Sequence, residues 1–122
     1  MADDPQPPGR TFGREIQRLR RDRLPRMTQR DAAKALGIDF TYLSKLENDR
    51  GEAPGEETVR KMAALYETDA EELLALAGKL PPELRERAVE DRQFALLLRR
   101  LPNLSEEKLK QIYQSAEVPD QT

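Results

Sequence analysis

Apolar side chains recur along this chain at helical spacing. Phe12, Ile16 and Leu19 stand at i, i+4 and i+7, the stripe of one helix face, with the arginines mostly on the other faces. The pattern predicts a helix over Thr11–Arg23, capped by Thr11. Leu24-Pro25 ends it, because a residue before proline is pushed out of helical geometry. A second stripe is small and close-packing: Ala32, Ala33 and Leu36. Thr28 is its N-cap, with Asp31 three positions on in a capping-box-like arrangement. Gly37 follows at the C′ position, where a positive φ costs glycine little. Asp39 caps the next helix, whose Leu43 and Leu46 face inward while Ile38 staples its entry. Phe40, Thr41, Ser44 and Lys45 share the outward face. After a loop holding Gly51, Pro54 and Gly55, Glu56–Tyr66 carries Val59, Met62, Ala63, Leu65 and Tyr66 inward. Asp69 with Glu72 predicts a capping box for a short helix over Ala70–Ala77, stopped by Gly78.

Beyond this head the pattern restarts. Leu80-Pro81-Pro82 is a stiff hinge, with Pro82 suited to a first helical turn. Pro82–Leu101 carries Leu84, Ala88, Val89, Phe94, Ala95, Leu96, Leu97, Leu98 and Leu101, with a bend expected near Asp91. Pro102 breaks it. Ser105 then caps Glu106–Ala116, whose stripe is Leu109, Ile112 and Tyr113, and both glutamates of its first turn favour the helix dipole. About forty residues cannot easily bury so many large apolar groups alone. They pack either on the head or on a second copy. A helical dimerisation unit built from Phe94, Leu97, Leu98, Leu101, Leu104, Leu109, Ile112 and Tyr113 is the expectation.

Composition narrows the chemistry. Charged residues make up 36% of the 122 positions and apolar ones 37%, and there is no Cys, His or Trp. Without Cys there are no disulfides or thiolates; without His the commonest general base and metal ligand is missing. No glycine-rich phosphate loop and no carboxylate pair in a cleft argues for an enzyme, and no cofactor or metal is expected. No apolar run approaches the ~20 residues that span a bilayer, and the first residues do not read as a signal peptide, so a cytoplasmic protein is expected. Net charge is −2, but residues 10–50 hold eleven Lys/Arg against six Asp/Glu, a net of +5, and residues 51–122 a net of −5. That split suits a polyanion-binding head on an acidic, partner-binding tail. The alternative is an ordinary charged helical surface.

Two short helices joined by a glycine-containing turn are the supersecondary signature of a DNA-binding helix-turn-helix. The residues around it carry a wider likeness. Thr28-Gln29 open one helix, Ala33 lies inside it, and Leu36-Gly37-Ile38 make the turn. Tyr42-Leu43-Ser44-Lys45-Leu46-Glu47-Asn48 continue the next helix, with Phe12-Gly13-Arg14-Glu15-Ile16 and Leu19-Arg20 before. Ala53-Pro54, Thr58-Val59, Leu65, Asp69, Glu72 and Leu73-Leu74 follow. Over about residues 11–78 the chain resembles the Xre/Cro family of helix-turn-helix domains, the family of the lambdoid phage repressors. Between Arg20 and Thr28 it departs from the common pattern by about two extra residues, among them Leu24, Pro25 and Arg26. That longer connection either lifts Arg23 and Arg26 toward a phosphate backbone or enlarges a surface loop.

The resemblance implies a fold and a set of roles. The fold is all-α: a five-helix lambda repressor-like domain over residues 11–78, then a small helical dimerisation unit over 79–118, between a disordered arm at 1–10 and a disordered tail at 119–122. The helix after Asp39 would enter the major groove N-terminus first. Base-edge contacts fall on Phe40, Thr41, Ser44 and Lys45. Lys45 suits guanine O6 and N7, and Thr41 a hydrogen bond or a thymine methyl. Phe40 either meets a thymine methyl or turns inward. Phosphate contacts fall on Gln29 first, then Thr28, Tyr42, Asn48, Arg50, Arg26 and Arg30. For Tyr42 a packing role competes with a phosphate contact; Tyr66 reads as core. Arg20 and Glu47 would form a structural ion pair.

The reading that follows is a sequence-specific transcriptional regulator of double-stranded DNA, a dimeric repressor of prokaryotic or phage type. One head covers only about five base pairs, so specificity calls for two heads on a palindrome. The alternative is an interaction module of antitoxin or bridging-factor type, whose C-terminal helices bind a toxin or a regulatory peptidase.

Overall fold

Between Thr11 and Asp120 the structure, a computed structural model, describes the chain as helices and their connections. The expected arm at residues 1–10 and the last two residues of the expected tail lie outside the described residues. Two compact units divide at Leu80 and Pro81.

The first unit holds α1 (Phe12–Asp22), α2 (Gln29–Leu36), α3 (Phe40–Glu47), α4 (Glu56–Leu65) and α5 (Ala70–Leu76). All but α4, whose N-cap is Gly55, begin where the sequence offers a side-chain oxygen to otherwise unpartnered N–H groups. The Thr11 side chain accepts from Arg14 N–H, the Thr28 side chain from Asp31 N–H, and the Asp39 side chain from Thr41 N–H. In α2 the box is complete, because Asp31 Oδ2 accepts from Thr28 N–H in return. Gly37 ends α2 with φ 71°, a left-handed conformation in which a Cβ is strained. Asp69 corrects one expectation. Its Oδ1 accepts from Glu71 N–H at 2.8 Å, and no reciprocal bond from Glu72 forms. The short Asp side chain reaches the second N–H of the helix, and this closes the start of α5 without a box.

The core gathers the inward stripes of all five helices. Ile16, Leu43, Val59 and Met62 are fully buried, each worth about 1.5–3 kcal/mol relative to exposure. Phe12, Ala32, Ala33, Leu36, Leu46, Ala63, Tyr66, Leu73 and Leu74 complete it. The small alanines let α2 lie close against α3 and α4. A clasp ties the end of α3 to the start of α1. Asp49, just past α3 with φ 56°, accepts from Gly13 N–H at 2.9 Å and from the Thr11 hydroxyl at 2.6 Å. A Cβ on Gly13 would run into the Leu46 carbonyl oxygen and the Asp49 carboxylate, so glycine is required at this crossing.

The second unit holds α6 (Glu83–Glu90), α7 (Arg92–Arg100), a 3₁₀ turn (Leu101–Asn103) and α8 (Glu106–Ser115). The expectation of one bent helix over Pro82–Leu101 is corrected to two helices and a turn. Asp91 is extended (φ −131°, ψ 103°); its N–H closes α6 on Arg87 O, and its Oδ1 accepts from Phe94 N–H to open α7. An aspartate can substitute for the helix carbonyls in this way, so the break costs little. No described residue of this unit is buried. Phe94, Leu98, Leu101, Leu104, Leu109 and Ile112 are half-buried, while Leu97 and Tyr113 are exposed at 45% and 50%.

Candidate nucleic-acid interface

The candidate surface is built on α2 and α3, held by a polar knot beneath it. Glu47, the last residue of α3, is fully buried as a side chain. Its Oε2 accepts from Arg20 Nε at 2.7 Å and its Oε1 from Arg20 Nη2 at 2.9 Å. This is the fork-to-fork geometry in which a guanidinium and a carboxylate bind most strongly. Gln29 Nε2 adds a third donor to Glu47 Oε1 at 2.9 Å, and Arg20 Nη1 donates to Met27 O at 3.1 Å. The hydrogen bond to Glu47 raises the Arg20 pKa further above its ordinary value, against the opposing effect of burial. So the end of α1, the start of α2 and the end of α3 are fixed to one another through a single carboxylate.

This knot changes how Gln29 reads. One N–H of its amide is turned inward onto Glu47, which leaves the second amide N–H, the side-chain oxygen and the backbone N–H groups at the start of α2 for a ligand. The Thr28 hydroxyl is engaged in its own cap. The N–H groups of Gln29 and Arg30, beyond reach of any intrahelical carbonyl, mark that end as favourable for an anion. Asn48 is likewise part-engaged, its Nδ2 donating to Ser44 O at 2.8 Å.

On α3 the outward residues stand as the helical period requires. Thr41 and Lys45 are exposed, Ser44 is half-buried, and Tyr42 is 39% exposed. Phe40 is half-buried against the core, and the Arg30 guanidinium lies over its ring, 4.4 Å from the centroid. Arg26 and Arg50 are exposed. An open groove runs from the end of α1 to the start of α3, lined by Arg20, Arg21, Arg26, Gln29, Arg30 and Phe40 among others. Arg20 is neutralised by Glu47, but Arg21, Arg26 and Arg30 make no ion pair with a carboxylate among the described residues, and the lining suits a polyanion.

Sequence reasoning left Arg23 open, and the structure turns it away from this surface: its Nε donates to Leu65 O at the end of α4, 3.0 Å away. Arg21 and Gln17 line the groove without having been singled out; their spacing beside Arg20 on the last turns of α1 was the available signal. Asp49 was missed as a clasp, since nothing local marks an aspartate that bonds 36 and 38 residues away. Buried Tyr66 has no hydrogen-bond partner for its hydroxyl among the described residues. Burial first, and the Glu47 charge second, push its pKa up to about 12. Among the described residues no group of side chains is arranged to hold a metal ion.

Comparison with known proteins falls on the same stretch. A family described as a helix-turn-helix domain matches residues 11–76. The chain is 36% identical over 78 residues to an uncharacterized HTH-type transcriptional regulator, RghRB, of Bacillus subtilis (strain 168), across 62% of this chain and 55% of that protein. It thus spans about half the length of this curated relative. No solved structure matches.

Proposed function

This chain belongs to the helix-turn-helix domain family, and from that premise we propose that it is a sequence-specific regulator that reads a palindromic operator as a dimer and represses transcription there. The observation that carries the reading is the outward row of α3, Thr41 and Lys45 with Ser44 between them, on a helix whose far end is locked by the buried Glu47 knot. A rod held this firmly can present hydrogen-bonding groups to base edges at fixed spacing. The arginine-lined groove and the start of α2 supply the sequence-independent grip on phosphates, with Gln29, Arg26 and Arg50 the leading contacts. Thr28, Tyr42, Asn48 and Arg30 were candidates for the same role; of these, Thr28 acts through its remaining hydroxyl hydrogen and Asn48 through its second amide N–H.

The apolar faces of α7 and α8 are the proposed dimer contact, since none of their large side chains is fully buried within their own unit. Selection of bound duplexes from a random pool tests the whole reading. The expected product is an inverted repeat whose half-sites lie about one helical turn apart. No enrichment at low salt, where charge attraction is greatest, refutes it.

A second reading is favoured by the same exposed faces: a partner protein, a toxin or a regulatory peptidase, covers α7 and α8 instead of a second copy. Solution mass separates the two. A stable homodimer supports the first; a monomer that dimerises at no concentration supports the second.

A further inference from the structure

We propose that Phe40 reads no base itself and instead serves as a platform that presents Arg30 as the guanine-reading residue at the leading end of α3; the proposal rests on the DNA-binding reading above. Phe40 is the first residue of α3, and its ring is fixed by packing against the core. Arg30 is the second residue of α2, exposed, with its guanidinium over that ring at 4.4 Å. The contact therefore joins the two helix starts that a groove meets first.

A guanidinium stacked by its face keeps its N–H groups in plane and directed outward. Among the described residues no carboxylate pairs with Arg30 to occupy them. The ring contact removes much of the rotamer freedom that a long side chain loses on binding, and a guanidinium lying flat on the ring has the plane of its fork set as well. A phosphate, which accepts from many directions, gains little from a fixed plane. The O6 and N7 of a guanine, which lie side by side in the major groove, gain most. An aromatic residue where a polar one would read a base directly is explained in the same way: its face carries the donor.

The test uses the full chain and the duplex it selects, titrated together with every single base-pair variant of one half-site. Arg30→Ala is expected to lose about tenfold of discrimination at one G·C pair, with the other positions unchanged. Arg30→Lys keeps the charge and does not restore it. Phe40→Leu keeps the packing but removes the π-face, and is expected to lose the same preference at the same pair. Phe40→Trp restores it, and Arg30→Ala with Phe40→Leu is no worse than either alone. Thermal melting reports whether Phe40→Leu folds; if it does not, the comparison of Arg30→Ala with Arg30→Lys decides by itself. Equal weakening of all sequences by Arg30→Ala means a phosphate contact and overturns the proposal, as do additive losses in the double variant. A wild-type chain that selects no duplex overturns the DNA-binding reading and the proposal together, and is recognised before any variant is made.

Discussion

Replacing Glu47 by alanine removes the acceptor of three hydrogen bonds at once and strands a guanidinium that is only 10% exposed. Met27 O remains to Arg20, but no anion does. Breaking a buried pair from one side costs about 3–5 kcal/mol, most of it the penalty of the orphaned charge. A unit of some seventy residues has about 4–10 kcal/mol of stability in total, so the loss consumes a large share of it. At about 4–8 °C per kcal/mol for a domain of this size, the melting midpoint should fall by at least about 12 °C. Helical circular dichroism against temperature, with urea titration of the same samples, measures it. The companion variant Arg20→Met with Glu47→Leu removes both charges and fills the space, and should lose less than Glu47→Ala. A loss below about 1 kcal/mol for Glu47→Ala, the value of an exposed pair, refutes the reasoning, as does a double variant less stable than the single.

Further outcomes follow at Tyr66, Gly13 and Lys45. Tyr66→Phe deletes a buried hydroxyl without a partner and should stabilise the chain by about 1 kcal/mol in urea titration. Tyr66 binds its proton more tightly folded, at about 12, than unfolded, at about 10. Its contribution is therefore fully present below pH 10 and lost as pH rises through 12; Tyr66→Phe should lack that loss, and an unchanged alkaline melting curve counts against it. Gly13→Ala drives a Cβ into the Leu46 carbonyl and the Asp49 carboxylate and should cost about 1–3 kcal/mol, read from the melting midpoint. Lys45→Ala should flatten the preference at one base pair of each half-site by about tenfold in competition binding; uniform weakening would reassign Lys45 to a phosphate.

The first unit was legible because its signals are local and agree with one another. Thr28, Asp39 and Gly37 each fix a helix end within a few residues, and the stripes at Ile16, Leu43 and Met62 point to one core. Asp91 was harder. The apolar residues on both sides argue for continuity, and the outcome turns on whether one carboxylate outbids a backbone carbonyl. Arg23, Asp49 and the Arg30–Phe40 stack were not legible at all as contacts. Each depends on which side chains the packed helices bring together across long stretches of sequence, and no periodicity encodes that.

Gln29 shows why the frame and the reading surface cannot be separated at every residue. Its amide belongs to the Glu47 knot while its backbone N–H lies at the start of α2, where a phosphate is proposed to sit. A Gln29→Ala variant therefore removes a donor from a buried carboxylate and disturbs the proposed anion contact in one step. Its binding loss mixes a frame effect with a ligand effect. Gln29→Glu separates them poorly, since it sets a second carboxylate beside Glu47. Lys45 and Arg30 are exposed and make no hydrogen bond within the knot. Their substitution leaves the three bonds to Glu47 in place, so a change in sequence preference at those residues is a statement about DNA contact, and a change at Gln29 is not until its melting midpoint has been matched to the wild type.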